Sequence, residues 1–110
     1  MKPNNEFSSK DLEPLCGIKF NNVRQMIDKG YIKPSIRQST QTGISHIFSK
    51  KDIYKIFIFK HLSDMGIHQN IASKISHSGK YNSPYFALLI DWASTKDIVD
   101  LLISNLKENR

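Results

Sequence analysis

The stretch from residue 12 to residue 31, LEPLCGIKFNNVRQMIDKGY, constrains this chain more than any other. It divides into a short helical segment, a turn at Cys16, Gly17 and Ile18, and a second helical segment that stops at Gly30. In the second segment Val23 and Ile27 stand four apart, the spacing that places two side chains on one helix face. Asn21, Asn22, Arg24 and Gln25 fall on the other faces. Two short helices joined by a tight turn, with amides and a cation on the outer side of the second, form the helix-turn-helix arrangement, whose second helix enters the DNA major groove. A nucleic-acid binder is the first expectation.

A chain of 110 residues, 39% of them hydrophobic, can supply one modest core, enough for one domain or for a small domain with an accessory segment. No apolar run approaches the roughly 18 residues that would span a bilayer, and MKPNNEFSSK lacks the apolar centre of a signal peptide. The expected setting is the cytoplasm, in association with the nucleoid, with no membrane partner. Cys16 is the single cysteine, so no internal disulfide is possible, and it stands where a small packing residue fits a turn.

Net charge is +6, and it is unevenly spread. Residues 1–80 carry 13 Lys and Arg against 6 Asp and Glu, a balance of +7, whereas residues 81–110 carry 3 against 4, a balance of −1. The basic part suits a polyanion, and charge alone does not separate DNA from RNA, anionic lipid or an acidic protein. The near-neutral tail suits assembly better than phosphate binding.

Helix-start signals organise the remainder. Ser8 with Asp11, Ser49 with Asp52, and Ser94 with Asp97 each have the S-x-x-D spacing of a capping box. They predict helices over 9–15, 50–64 and 95–108, with Phe7 as a hydrophobic staple after a flexible leader at 1–6. Glycine stops at Gly30 and Gly66 close the second and third helices, and a fourth is expected over 68–76, burying Ile71, Ala72 and Ile75. The polar segment 35–45, with β-formers at both ends and Gly43 as a turn, reads as a β-hairpin wing whose return strand covers 44–48. The third helix is apolar on two sides, through Ile53, Ile56 and Phe57 and through Tyr54, Ile58 and Leu62, so it needs two partners. The run 85–92, YFALLIDW, lacks helical periodicity and reads as a buried strand. No internal repeat is evident.

Residues 7–76 resemble the MerR-type winged-helix DNA-binding domain. The matching fragments are FSSKDL at 7–12, LCGI at 15–18, VR at 23–24, the six-residue step from Arg24 to Gly30, YIKP at 31–34, Arg37, FSKKDI at 48–53 and MGIHQNIASKI at 65–75. The resemblance implies a recognition helix in the major groove, a wing on the backbone and a second helix pair touching phosphates. Met26 stands where that family usually has an aromatic, and residues 79–110, broken by Pro84, carry no sustained heptad of the kind that builds the family's usual long C-terminal coiled coil. The expected architecture is mainly α with a small β wing, a winged helix-turn-helix over 7–78 followed by a short strand-helix segment over 79–110 that dimerises.

The expected DNA contacts are Lys19, Asn21, Asn22, Arg24 and Gln25 on the recognition helix, Lys33, Arg37, Gln38, Thr40 and His46 on the wing and its arm, and Gln69, Asn70 and Lys74 on the fourth helix. Cations suit phosphates, and amides suit adenine edges. Tyr85, Phe86, Leu88, Ile90, Trp92, Leu102 and Leu106 are the expected dimer contacts. His46, His61, His68 and His77 lack the i, i+4 spacing of a helical zinc motif, and no nucleophile-base pair or glycine-rich phosphate loop is present, so no metal, cofactor or catalysis is expected, and no small-molecule effector is evident. The leading function is a transcriptional regulator binding an inverted repeat in double-stranded DNA as a homodimer. The alternatives are an architectural factor like the excisionases or terminase small subunits of phage and mobile elements, and a protein-interaction adaptor on the same scaffold.

Overall fold

A computed structural model describes residues 6–38 and 46–108. Within them the chain is mainly helical, with one small antiparallel sheet: β1 (Glu6–Ser8), a 3-10 turn (Ser9–Asp11), α1 (Leu12–Cys16), α2 (Phe20–Asp28), β2 (Ile47–Ser49), α3 (Lys50–Asp64), α4 (Gln69–His77), α5 (Pro84–Ala87) and α6 (Trp92–Glu108). No helix among the described residues is long and apolar enough to cross a membrane.

The sheet joins two copies of one short pattern. F-S-x-K-D followed by Leu or Ile occurs at 7–12 and again at 48–53, so the sequence does hold a repeat. Phe7 pairs with Phe48, and both are essentially fully buried. Each strand runs directly into a capped turn: the Ser8 amide donates to Asp11 Oδ2 at 2.8 Å, and the Ser49 amide to Asp52 Oδ2 at 2.9 Å. Asp52 N–H returns the bond to Ser49 Oγ at 3.2 Å, completing a capping box that starts α3 at Lys50. Glu6 therefore belongs to a strand and not to a leader.

Beyond β2 the ladder continues as a single bridge. Ile47 N–H donates to the Arg37 carbonyl at 2.8 Å, and Arg37 N–H donates back at 3.1 Å. Of the expected return strand at 44–48, residues 44 and 45 lie outside the described residues; β2 at Ile47–Ser49 carries its end one residue further, and its main partner is β1. The expected hairpin tip, with Thr40, lies outside the described residues.

Gly17, at φ +75°, ends α1 by donating its amide to the Glu13 carbonyl at 2.9 Å. Gly30, at φ +77°, does the same service for α2: it donates to Ile27, and Tyr31 then reaches back to the Met26 carbonyl at 3.0 Å. α3 is the central element. Ile53, Ile56, Ile58, Phe59 and Leu62 are all buried, as its two apolar sides require, and α1, α4 and α6 supply the partners from within the same chain.

Two elements differ from expectation. Ile71 on α4 is 54% exposed, because that helix turns its small residues Ala72, Ser73 and Ser76 inward. Residues 85–92 form no strand. Ser83 Oγ accepts the Phe86 amide at 3.1 Å and Pro84 occupies the first turn, so α5 forms there. The Asp91 carboxylate then accepts from the Ser94 amide at 3.3 Å and its hydroxyl at 3.0 Å, and α6 begins at Trp92, ahead of the expected Ser94–Asp97 start. Phe86, Ile90, Val99 and Ile103 join the same hydrophobic core as Phe7, Leu12 and Phe48, so no packing boundary falls near residue 78.

Candidate functional site

The outer side of α2 is open. Lys19, Asn21, Asn22, Arg24 and Gln25 are all exposed, while Val23 and Ile27 on the opposite side are buried. Lys19 holds extended backbone angles just before the helix and leaves its side chain uncommitted to capping. Arg24 Nε lies 3.8 Å from Asp28 Oδ2, both side chains more than 60% exposed. An i, i+4 pair of that kind is worth a few tenths of a kcal/mol, little enough for Arg24 to exchange it for a phosphate.

The strand arm approaches the same helix. His46 is half-buried, and burial, then the Arg24 charge, pushes its pKa below the ordinary histidine value, with Asp28 opposing. Arg24 and His46 are thus close enough to share one field. Arg37 and Gln38 are exposed on the adjoining edge.

The segment that follows α2, from Lys29 to Lys33, and α4 border an open groove of about 550 Å³. Lys29, Lys33 and Lys74 line it with Asn70, Ser73 and His77, and among the described residues no carboxylate contributes to its wall. The Tyr31 carbonyl fixes the two sides together: it accepts Ser73 Oγ–H at 3.2 Å and lies 3.0 Å from His77 Nε2. In neutral His77 this contact places the proton on Nε2 and leaves Nδ1 as an acceptor. Burial holds the His77 pKa below the ordinary histidine value; Lys33 and Lys55 push the same way, while the Tyr31 carbonyl and Asp52 oppose them.

Lys33, Asn70 and Lys74, all expected DNA contacts, therefore meet in one place, whereas Gln69 is exposed but does not line the groove. Lys29, Ser73 and His77 were not anticipated. Lys29 had a signal, a cation beside the helix-stopping Gly30; His77 had none, since it stands at the edge of a turn-rich break.

The remaining histidines have local structural roles. His68 Nδ1 accepts the Asn70 amide at 3.2 Å, and His61 stacks on Phe57. Among the described residues, no three of His, Cys, Asp and Glu come together as a ligand set for a metal ion.

The expected dimer contacts separate into two groups. Phe86 and Ile90 are each 4% exposed, inside the chain's own core, and Trp92, Leu102 and Leu106 are partly buried against it. Trp92 meets Tyr54 edge-on and packs on Tyr81. Tyr85 and Leu88 are 82% and 84% exposed, and Ile98 and Leu101, one turn apart on α6, join them as exposed apolar residues.

The chain matches no protein-family model, no curated protein and no solved structure.

Proposed function

We propose that this chain is a sequence-specific double-stranded DNA-binding protein of the winged helix-turn-helix type, acting as a transcriptional regulator. The observation that carries the reading is the open polar side of α2, where Lys19, Asn21, Asn22, Arg24 and Gln25 all reach solvent with only Asp28 as an acidic neighbour on that helix. A helix docked in the major groove needs this combination: amides at base edges and cations at flanking phosphates. Lys29, Lys33 and Lys74 of the groove beside α4, together with exposed Arg37 and with His46 in the field of Arg24, add cationic surface to that of α2. A recognition helix supplemented by a wing and a second helix pair on phosphates is what the resemblance to the MerR-type domain implies.

One such module buries limited surface on DNA, and two copies related by a two-fold axis would read an inverted repeat. Tyr85, Leu88, Ile98 and Leu101 are the apolar residues left exposed for that contact. Light scattering on the free protein and on its DNA complex measures the number of copies; one copy in both states removes the dimer.

Selection of bound fragments from random DNA tests the function directly. The doubly substituted Lys19→Ala, Arg24→Ala protein should bind the selected duplex more weakly, with a salt dependence shallower by roughly one unit of slope for each phosphate it no longer neutralises. Absence of any salt-dependent DNA binding by the native protein would leave the adaptor reading in its place.

A further inference from the structure

Phe20 is the first residue of α2 and is 51% exposed. Every exposed neighbour around it on that helix start is an amide or a cation: Lys19, Asn21, Asn22 and Arg24. Half of a large aromatic ring left in water contributes nothing to folding, and burial of that half awaits another surface. The Lys10 ammonium stands 6.0 Å from the ring centroid, so a further cation borders the ring.

In a helix lying in the major groove, the N-terminal residues come nearest the base edges. A phenyl ring makes no hydrogen bond of the kind those edges offer. Of the groups displayed on the major-groove floor, the one apolar match is the C5-methyl of thymine. Its neighbours agree, because the amides of Asn21, Asn22 and Gln25 suit N6 and N7 of adenine, the base that pairs with thymine. Resting on the DNA-binding reading above, we propose that Phe20 is a specificity-determining residue that recognises thymine through its 5-methyl group.

The test uses a duplex selected from random DNA by the native protein, remade with deoxyuridine in place of each thymine in turn. That exchange removes one methyl and keeps the base pair. At one or two positions the native protein should bind about fourfold more weakly, the factor that burial of one methyl-sized group carries. Phe20→Ala should bind the thymine and deoxyuridine duplexes equally and keep its salt dependence. Phe20→Leu, which stays apolar and disturbs the helix start less, should retain a thymine preference. The inference is overturned if no deoxyuridine exchange alters native affinity, or if Phe20→Ala binds and still discriminates in full. Failure of the DNA-binding reading looks different: the native protein then selects no duplex at all, and both proposals go together.

Discussion

Asp52 Oδ2 accepts hydrogen bonds from the Ser35 amide at 2.8 Å and the Ser35 hydroxyl at 2.7 Å, in addition to the Ser49 amide that it caps. One carboxylate thereby starts α3 and anchors the segment that follows Pro34. Asp52 is 5% exposed, and its partner Ser35 lies at the surface. Asp52→Ala removes the acceptor of the Ser35 and Ser49 amides, while the Ser35 hydroxyl keeps Ser49 Oγ at 3.1 Å as a partner. The expected loss is about 2–3 kcal/mol of unfolding free energy, the sum of a lost cap and incompletely satisfied donors. Urea unfolding followed by circular dichroism measures it, and a change under about 0.5 kcal/mol would contradict the anchoring role, since exposed surface substitutions stay within that range.

Cys16 is buried, its Sγ–H faces the Ile53 carbonyl at 3.8 Å, and burial pushes its thiol pKa up to about 12. At neutral pH almost no thiolate exists, and the thiolate is the reactive form. A disulfide reagent should therefore label the folded protein only as fast as the protein opens. Labelling in urea should be complete within the mixing period, and rapid labelling under native conditions would show that the α1 turn is not packed as described.

The parts legible in the sequence were those set by local chemistry. Ser49, Asp52 and Gly66 delimit a helix over 50–64, and the structure has α3 at Lys50–Asp64. The open side of α2 followed from a four-residue spacing of Val23 and Ile27. What failed depended on context. Residues 85–92 carry no period, and their conformation is decided by Ser83 and Pro84 before them and by Asp91 near their end. Ile71 looked like a core residue, yet close approach of α4 to its neighbours favours the smaller Ala72, Ser73 and Ser76. The groove was illegible for a third reason: Lys33 and Lys74 are brought together by tertiary contacts, among them the Tyr31 carbonyl with Ser73 and His77 more than 40 positions away and the Tyr31 ring on Phe59.

Acidification should destabilise the protein through His77 and His46. Both have folded-state pKa values below the ordinary 6.5, with burial as the largest cause. Below pH 6.5 the unfolded chain binds protons that the folded chain resists, so stability is complete above that value and falls as pH decreases through the window beneath it. Melting temperature should drop between neutral pH and about pH 5, and His77→Gln should flatten part of that slope. A variant with the same pH dependence as the native protein would exclude His77 as a contributor.

The groove and the α2 face should fail differently when altered. Lys33 and Lys74 are exposed cations in a groove with no carboxylate among its described lining residues, so their natural counterpart is a phosphate, which carries no sequence information. Lys33→Ala with Lys74→Ala should weaken binding to selected and unselected duplexes by the same factor, and should reduce the salt slope by about 0.9 for each phosphate left without its lysine. Asn21 is an amide on the open side of α2, suited to a base edge. Asn21→Ala should leave the salt slope nearly unchanged and lower the ratio of selected to unselected affinity, by roughly the 1–3 kcal/mol that a bidentate base contact carries. Fluorescence anisotropy over a salt series separates the two effects. Equal loss of specificity from both variants would mean that the groove reads bases too, and an unchanged slope after removal of both lysines would mean that the groove does not face the DNA backbone.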